Sequence, residues 1–129
     1  MIWSVSAHYR LVAALLTGAV VACILRRIGR VEVTGDSMLP TLLPGDRLFV
    51  VQGLRARPGD LVTLPDPRRP VRVVVKRVAS VAGDGTVVVR GDHPGASTDS
   101  RTFGPVPTRS LRGRVVYRYF PEHRRGRPR

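Results

Sequence analysis

Turns, more than any apolar run, limit what this chain can become. Pro44-Gly45-Asp46, Pro58-Gly59-Asp60 and Gly83-Asp84-Gly85 cut the chain beyond residue 30 into short pieces. Proline fixes φ and removes a backbone donor, and glycine takes positive φ at no steric cost, so regular structure stops at each cluster. The pieces between are Arg47–Val51, Leu61–Leu64, Val71–Ala82, Thr86–Arg90 and Leu111–Phe120. They are rich in valine, and β-branched residues fit a pleated surface better than a helix. The Gly83–Gly85 turn joins two of them as a hairpin. A shorter alternating run, Val31-Glu32-Val33-Thr34, precedes the first turn. Residues 66–70 read as a loop, and residues 91–107 as a long Gly/Pro/Ser-rich loop of the functional or disordered kind. The expectation is a mainly β fold, a small barrel-like antiparallel domain.

In front of this domain stands Leu11–Leu25, which carries no charge. A membrane span needs about 20 residues, and Ile2, Trp3 and Val5 can extend the run past His8 and Arg10. Arg26 and Arg27 follow it where a cleaved signal peptide would want small residues. The reading is one transmembrane helix, with Trp3 and Tyr9 at an interface and Arg10, Arg26 and Arg27 snorkelling from the ends. This divides the chain into an anchor at 1–28, a β domain at 29–120 and a basic, disordered tail at 121–129.

The net charge of +13 attracts anionic surfaces, lipid or nucleic acid. Only seven residues are aromatic and the arginines are scattered, which argues against base stacking and any specific nucleic acid partner. One cysteine, Cys23, and three dispersed histidines offer neither an intrachain disulfide nor zinc spacing, and no cofactor is expected.

Two residues carry the chemical argument. Gly35 to Asp46 (Gly-Asp-Ser-Met-Leu-Pro-Thr-Leu-Leu-Pro-Gly-Asp) holds Ser37 in a tight turn. Gly35 has the freedom to take positive φ and to let another backbone approach. A serine so held is a candidate nucleophile, inert until a neighbour takes its proton. Of 22 basic residues, 21 are arginines and one is lysine, Lys76. Arginine stays protonated near neutral pH, whereas a buried lysine can act as a base. In the Val71–Ala82 strand, Val74 and Val78 share the face of Lys76, while Val73, Val75 and Arg77 point the other way. Flanking valines desolvate the amine and lower its pKa. A solvated lysine guarding an edge strand is the competing reading. The loop from Gly91 to Arg101 adds hydroxyls at Ser97, Thr98 and Ser100 and an Asp99/Arg101 charge pair. A hydroxyl donating to a neutral amine would orient it as a base.

Here the residues resemble a known family, the type I signal peptidases, which are serine–lysine membrane proteases. Ser37-Met38-Leu39-Pro40-Thr41-Leu42 with Gly45-Asp46 resembles the nucleophile motif. Val75-Lys76-Arg77-Val78 followed by Gly83-Asp84 resembles the lysine motif. Gly91-Asp92, Ser97-Thr98-Asp99-Ser100-Arg101 and Gly104-Pro105-Val106 resemble the last one, and Gly59-Asp60-Leu61-Val62 also fits. The resemblance implies Ser37 as the acylated nucleophile, Lys76 as general base, Ser97 as the hydrogen-bond partner of the lysine, and Asp99 with Arg101 as a structural pair. It implies the Ser37 backbone N–H as one oxyanion donor. The hydroxyl that assists two residues earlier in some members is absent, since Gly35 stands there. Met38 and the strand 31–34 are candidate walls of the substrate groove. Substrates would be secreted or exported precursors, bound as extended strands and cut after small residues at −1 and −3. The layout implies a single-pass protein of the cell membrane with its catalytic domain on the extracytoplasmic side, against the positive-inside bias of residues 26, 27 and 30.

The small size also resembles mitochondrial inner-membrane peptidases and bacterial proteases that mature one metalloenzyme precursor. A dedicated protease for a single client is therefore one alternative. A non-catalytic, membrane-anchored basic β module binding anionic lipid or nucleic acid is another. A soluble self-cleaving repressor would share the chemistry, but no DNA-binding helical domain precedes Ser37.

Overall fold

The computed structural model describes residues 2–129, with side chains from residue 5 onward. The first element is α1, Ile2–Arg26. At 1.5 Å per residue it is about 37 Å long, against a hydrocarbon core of about 30 Å. Its segment Val5–Arg26 has a mean hydropathy of 1.8, and none of its apolar window is buried within the protein. A helix this apolar, with that window unburied, is long enough to cross a membrane. Tyr9 is exposed on it; the interfacial role expected of Trp3 falls on a side chain outside the described ones.

A single residue, Arg27, separates α1 from the first strand. The strands are β1 (Ile28–Glu32), β2 (Arg47–Val51), β3 (Leu61–Asp66), β4 (Arg69–Val81), β5 (Thr86–Arg90), β6 (Val106–Pro107) and β7 (Gly113–Phe120). They form one sheet in the order β1-β2-β7-β3-β4-β5-β6, with every pairing antiparallel. Glycine makes the β7 crossing possible. A Cβ on Gly113 would come within 2.5 Å of Val50 Cγ1 and 3.0 Å of the Val51 carbonyl oxygen.

The run expected as a strand at 31–34 is displaced. β1 begins at Ile28 and ends at Glu32, because the turn claims the next residue. Val33 N–H donates to the Asp46 carbonyl at 2.8 Å, and the Val33 carbonyl accepts from Gly45 N–H at 2.7 Å. Val33 thus ties the two ends of the serine turn together.

Side-chain alternation sorts the apolar residues into two cores. One gathers Val33, Met38, Leu42, Leu48, Val50, Leu61, Val75 and Val115. The other gathers Ala56, Val62, Leu64, Val78, Val87, Val89 and Val106. Neighbours in sequence part company, Leu61 from Val62 and Val75 from Val74, so β3 and β4 divide the cores. Met38 and Leu42 are fully buried in the first core. Each such side chain contributes about 1.5–3 kcal/mol, which fixes the serine turn from within.

Two loop expectations change. The stretch after β5 is structured, with a 3-10 turn at Pro94–Ala96, a short helix α2 at Ser100–Phe103 capped by Asp99, and β6. The tail expected to be disordered is docked. Glu122–Arg124 forms a 3-10 turn, Gly126 bridges to Arg118, and Arg124 reaches a buried carboxylate, Asp46. Arg124 and Arg125 have partners, Asp46 and the Thr41 carbonyl for the one and the Tyr119 carbonyl for the other, which composition alone does not disclose.

Candidate active site

Ser37 lies in the turn between β1 and β2, half-buried beside Met38. Leu42 N–H donates to the Met38 carbonyl at 3.0 Å and Leu39 N–H to the Asp36 carbonyl at 3.1 Å, closing the turn around the serine. The Ser37 carbonyl accepts from His93 N–H at 3.0 Å, so the loop after β5 holds the turn's backbone. Gly35 is not in the left-handed region. What approaches it is the Arg72 guanidinium, not another backbone.

Lys76 sits in β4 opposite Val62 and is 3% exposed. The competing picture of a solvated edge lysine therefore does not hold. Its Nζ donates to Ser97 Oγ at 3.1 Å, and Ser97 Oγ donates to Asp99 Oδ2 at 2.8 Å. The direction is the reverse of the sequence expectation. The one hydroxyl proton of Ser97 goes to the carboxylate, so Ser97 accepts from the amine. A neutral amine in this arrangement spends an N–H on Ser97 and keeps its lone pair free. Burial lowers the Lys76 pKa; the charge of Asp99 opposes that shift and the charge of Arg72 adds to it.

Asp99 is wholly buried. Burial by itself would raise its carboxyl. Hydrogen bonds from Arg101 Nε and Nη2, Gly91 N–H, Ser97 Oγ and Arg101 N–H outweigh burial and hold it below the ordinary carboxylate range. The expected Asp99/Arg101 pair is present, 2.6 Å at its shortest.

Ser37 and Lys76 border one cavity of about 90 Å³, together with Gly35, Asp66, Arg68, Arg72, Val74 and Thr98 among others. Among the described residues, the hydrogen-bond partner of the Lys76 amine is Ser97 and not Ser37. Catalytic contacts of this kind often tighten only when substrate binds. A second, adjoining cavity of about 40 Å³ runs between residues 31–35 and residues 72–75, with Ser37 and Met38 also lining it. These are the expected wall residues, although Met38 belongs mainly to the core.

Several residues that sequence reasoning left without a role support this arrangement. Asp92 accepts from Arg77 Nε at 2.8 Å, Arg77 Nη2 at 2.7 Å and Thr41 Oγ1 at 2.6 Å, joining β4 next to Lys76 to the serine turn. Asp46 does the same for the tail, accepting from Arg118, Arg124 and Leu43 N–H. Gly91 is a packing requirement. A Cβ there would come within 2.1 Å of Ser97 Oγ and 2.5 Å of the Ser37 carbonyl oxygen. The Gly-Asp spacing at 91–92 was the only signal of this in sequence, and it does not say what the glycine must avoid. Among the described residues, no three His, Cys, Asp or Glu side chains cluster as metal ligands.

The family model described as signal peptidase, peptidase S26 matches residues 6–89 and 83–120. The mitochondrial ATP-independent inner membrane protease subunit 1b of Arabidopsis thaliana is 34% identical, over 67% of this chain and 67% of its own length. The mitochondrial inner membrane protease subunit 2 of Mus musculus is 31% identical, over 81% of this chain and 70% of its own. Subunit 1 from Homo sapiens is 30% identical, over 81% and 77%.

Proposed function

This chain belongs to the signal peptidase family, peptidase S26, and from that premise we propose that it is a membrane-anchored serine endopeptidase with Ser37 as nucleophile and Lys76 as general base. The observation that carries the proposal is the buried Lys76 amine, hydrogen-bonded to Ser97 and bordering the cavity that Ser37 borders. Burying an amine costs several kcal/mol when its partners are incomplete. A non-catalytic lipid- or nucleic-acid-binding module has no use for that arrangement, and a base has.

In the proposed reaction, Lys76 takes the Ser37 proton as Oγ attacks the scissile carbonyl. The resulting ammonium protonates the leaving amine, and Lys76 then activates water against the acyl-enzyme. The substrate is the leader of an exported precursor. It lies extended between the backbone at 31–35 and the β4 edge at 72–75, as in strand addition. The small volume of the groove favours small side chains at −1 and −3. The helix α1 anchors the protein in the membrane that carries the precursor, with the catalytic domain on the extracytoplasmic side.

The test is cleavage of a precursor bearing alanine at −1 and −3 by the full chain in detergent micelles. Ser37→Ala and Lys76→Arg are each expected to lose cleavage by at least about 10³-fold. Lys76→Arg keeps the charge but removes the titratable base. Full activity in either variant would sink the assignment.

A further inference from the structure

An acyl transfer through a tetrahedral intermediate needs donors aimed at the oxygen that becomes negative. The Ser37 N–H is one. Gly35, two residues earlier, has no side chain to offer, and this leaves room beside the nucleophile. A Cβ built on Gly35 meets one heavy atom within 4 Å beyond its chain neighbours, Arg72 Nη2 at 3.7 Å. Arg72 borders both cavities that Ser37 borders, the groove and the one shared with Lys76.

The β3–β4 hairpin is built to send Arg72 there. Pro65 pairs with Val73 and Asp66 pairs with Arg69, so residues 70–72 have no partners on β3. Inserted residues of this kind bend a strand and re-aim its side chains. Two-residue alternation then places Arg72 on the face of Val74 and Lys76. Among the described residues no hydrogen bond or ion pair occupies its guanidinium. Two carboxylates line the cavity, Asp36 and Asp66; neither is bonded to Arg72, and Asp66 is taken by the Arg68 guanidinium at 3.8 Å and by the Arg68 N–H at 3.0 Å.

We propose that the Arg72 guanidinium is the second oxyanion donor, filling the place that Gly35 leaves open. The inference rests on the serine–lysine reading above. When Ser37 Oγ bonds to the carbonyl carbon, the π pair moves to the carbonyl oxygen and the hydroxyl proton goes to Lys76 Nζ. Ser37 N–H and an Arg72 N–H then donate to that oxygen. On collapse the pair returns, the C–N bond breaks, and the Lys76 ammonium protonates the departing amine. In solvent an exposed guanidinium is screened. An extended substrate lying in the groove covers Arg72 and strengthens its hydrogen bond.

The experiment measures kcat, KM and their pH dependence for the full chain in micelles, on a peptide with alanine at −1 and −3. Arg72→Ala is expected to lower kcat by about 10²-fold, with KM changed less than about 2-fold and the pH plateau lowered. The double variant R72A/G35S is expected to recover at least about 10-fold. Its serine hydroxyl enters space where, chain neighbours aside, the arginine is the close group among the described residues. Four results overturn the inference: an unchanged kcat; a loss confined to KM, which makes Arg72 a substrate-binding group; a shifted acid limb under an unchanged plateau, which means it acts through Lys76; or a double variant no faster than Arg72→Ala. Ser37→Ala run in parallel separates the two claims. If Ser37→Ala is dead and Arg72→Ala is normal, only the oxyanion assignment fails. If Ser37→Ala is active, the serine reading itself fails.

Discussion

Lys76 is the residue on which charge, burial and pH meet. Its side chain is buried opposite Val62 on β3, and its amine has one hydroxyl, Ser97 Oγ, for a partner. Burial lowers its pKa from the ordinary value near 10.4. In the proposed mechanism the active form is the neutral one, so the rate should climb with pH through the lowered value and level off above it. Asp99 opposes the shift and Arg101 reinforces it. Asp99→Asn should therefore move the acid limb to lower pH, while lowering the plateau because a neutral amide holds the Ser97 hydroxyl less firmly than the carboxylate does. A limb that moved upward in kcat/KM against pH would contradict the assignment. The same shift bears on stability with a definite sign. Between the lowered folded value and about 10.4 the unfolded chain binds more protons than the folded one. The Lys76 contribution is thus least favourable at low pH and improves as pH rises through that window.

At the scale of elements, the serine turn is fastened from three sides. Its apolar residues Met38 and Leu42 enter the first core. Asp92 bridges its Thr41 to Arg77 of β4. The tail closes the third side, with Arg124 donating to Asp46 at 2.7 Å and to the Thr41 carbonyl at 3.3 Å, and Arg118 donating to the same two groups. Arg124→Ala should cost about 1.5–3 kcal/mol, the range for hydrogen bonds to charged groups. Asp46→Ala, which strands two largely buried guanidinium groups, should cost about 3–5 kcal/mol. Urea unfolding monitored through tryptophan and tyrosine emission orders the two. Equal midpoints for Arg124→Ala and wild type would show that the tail does not latch the turn.

Taken as a whole molecule, the protein is a β sheet joined to an apolar helix by one residue. With α1 in the membrane, as proposed, so short a link holds the start of β1 close to the membrane surface. The proposed extracytoplasmic placement sets the family layout against the arginines at 26, 27 and 30. A Cys23→Ser protein with a cysteine placed at exposed Arg127 decides it. Labelling by a membrane-impermeant maleimide from the extracytoplasmic face is expected, and labelling only after the membrane is opened would reverse the orientation.

The strands β2 and β5 were legible to the residue, because each is bounded by a Gly-Asp turn or a charged end and is too short to be anything else. The apolar helix was legible from composition, and Ser37 and Lys76 stood out as candidates from turn chemistry and from the single lysine, while the roles of Ser97, Asp99 and Arg101 came from the resemblance to signal peptidases. The start of β1 was not, since Ile28 and Gly29 become a strand only by pairing with Val51 and Val50. Nor was the docked tail, whose arginines looked like any solvated charge run until Asp46 lay beneath them. By itself the sequence determined which groups could do chemistry: one turn-bound serine, one lysine that can lose its proton, and a carboxylate with an arginine two residues on. Only the tertiary structure decided which way the Ser97 proton points, why residue 91 has no room for a side chain, and that Arg72 stands where Gly35 leaves a gap. Those are distances between segments tens of residues apart, and no local propensity encodes them.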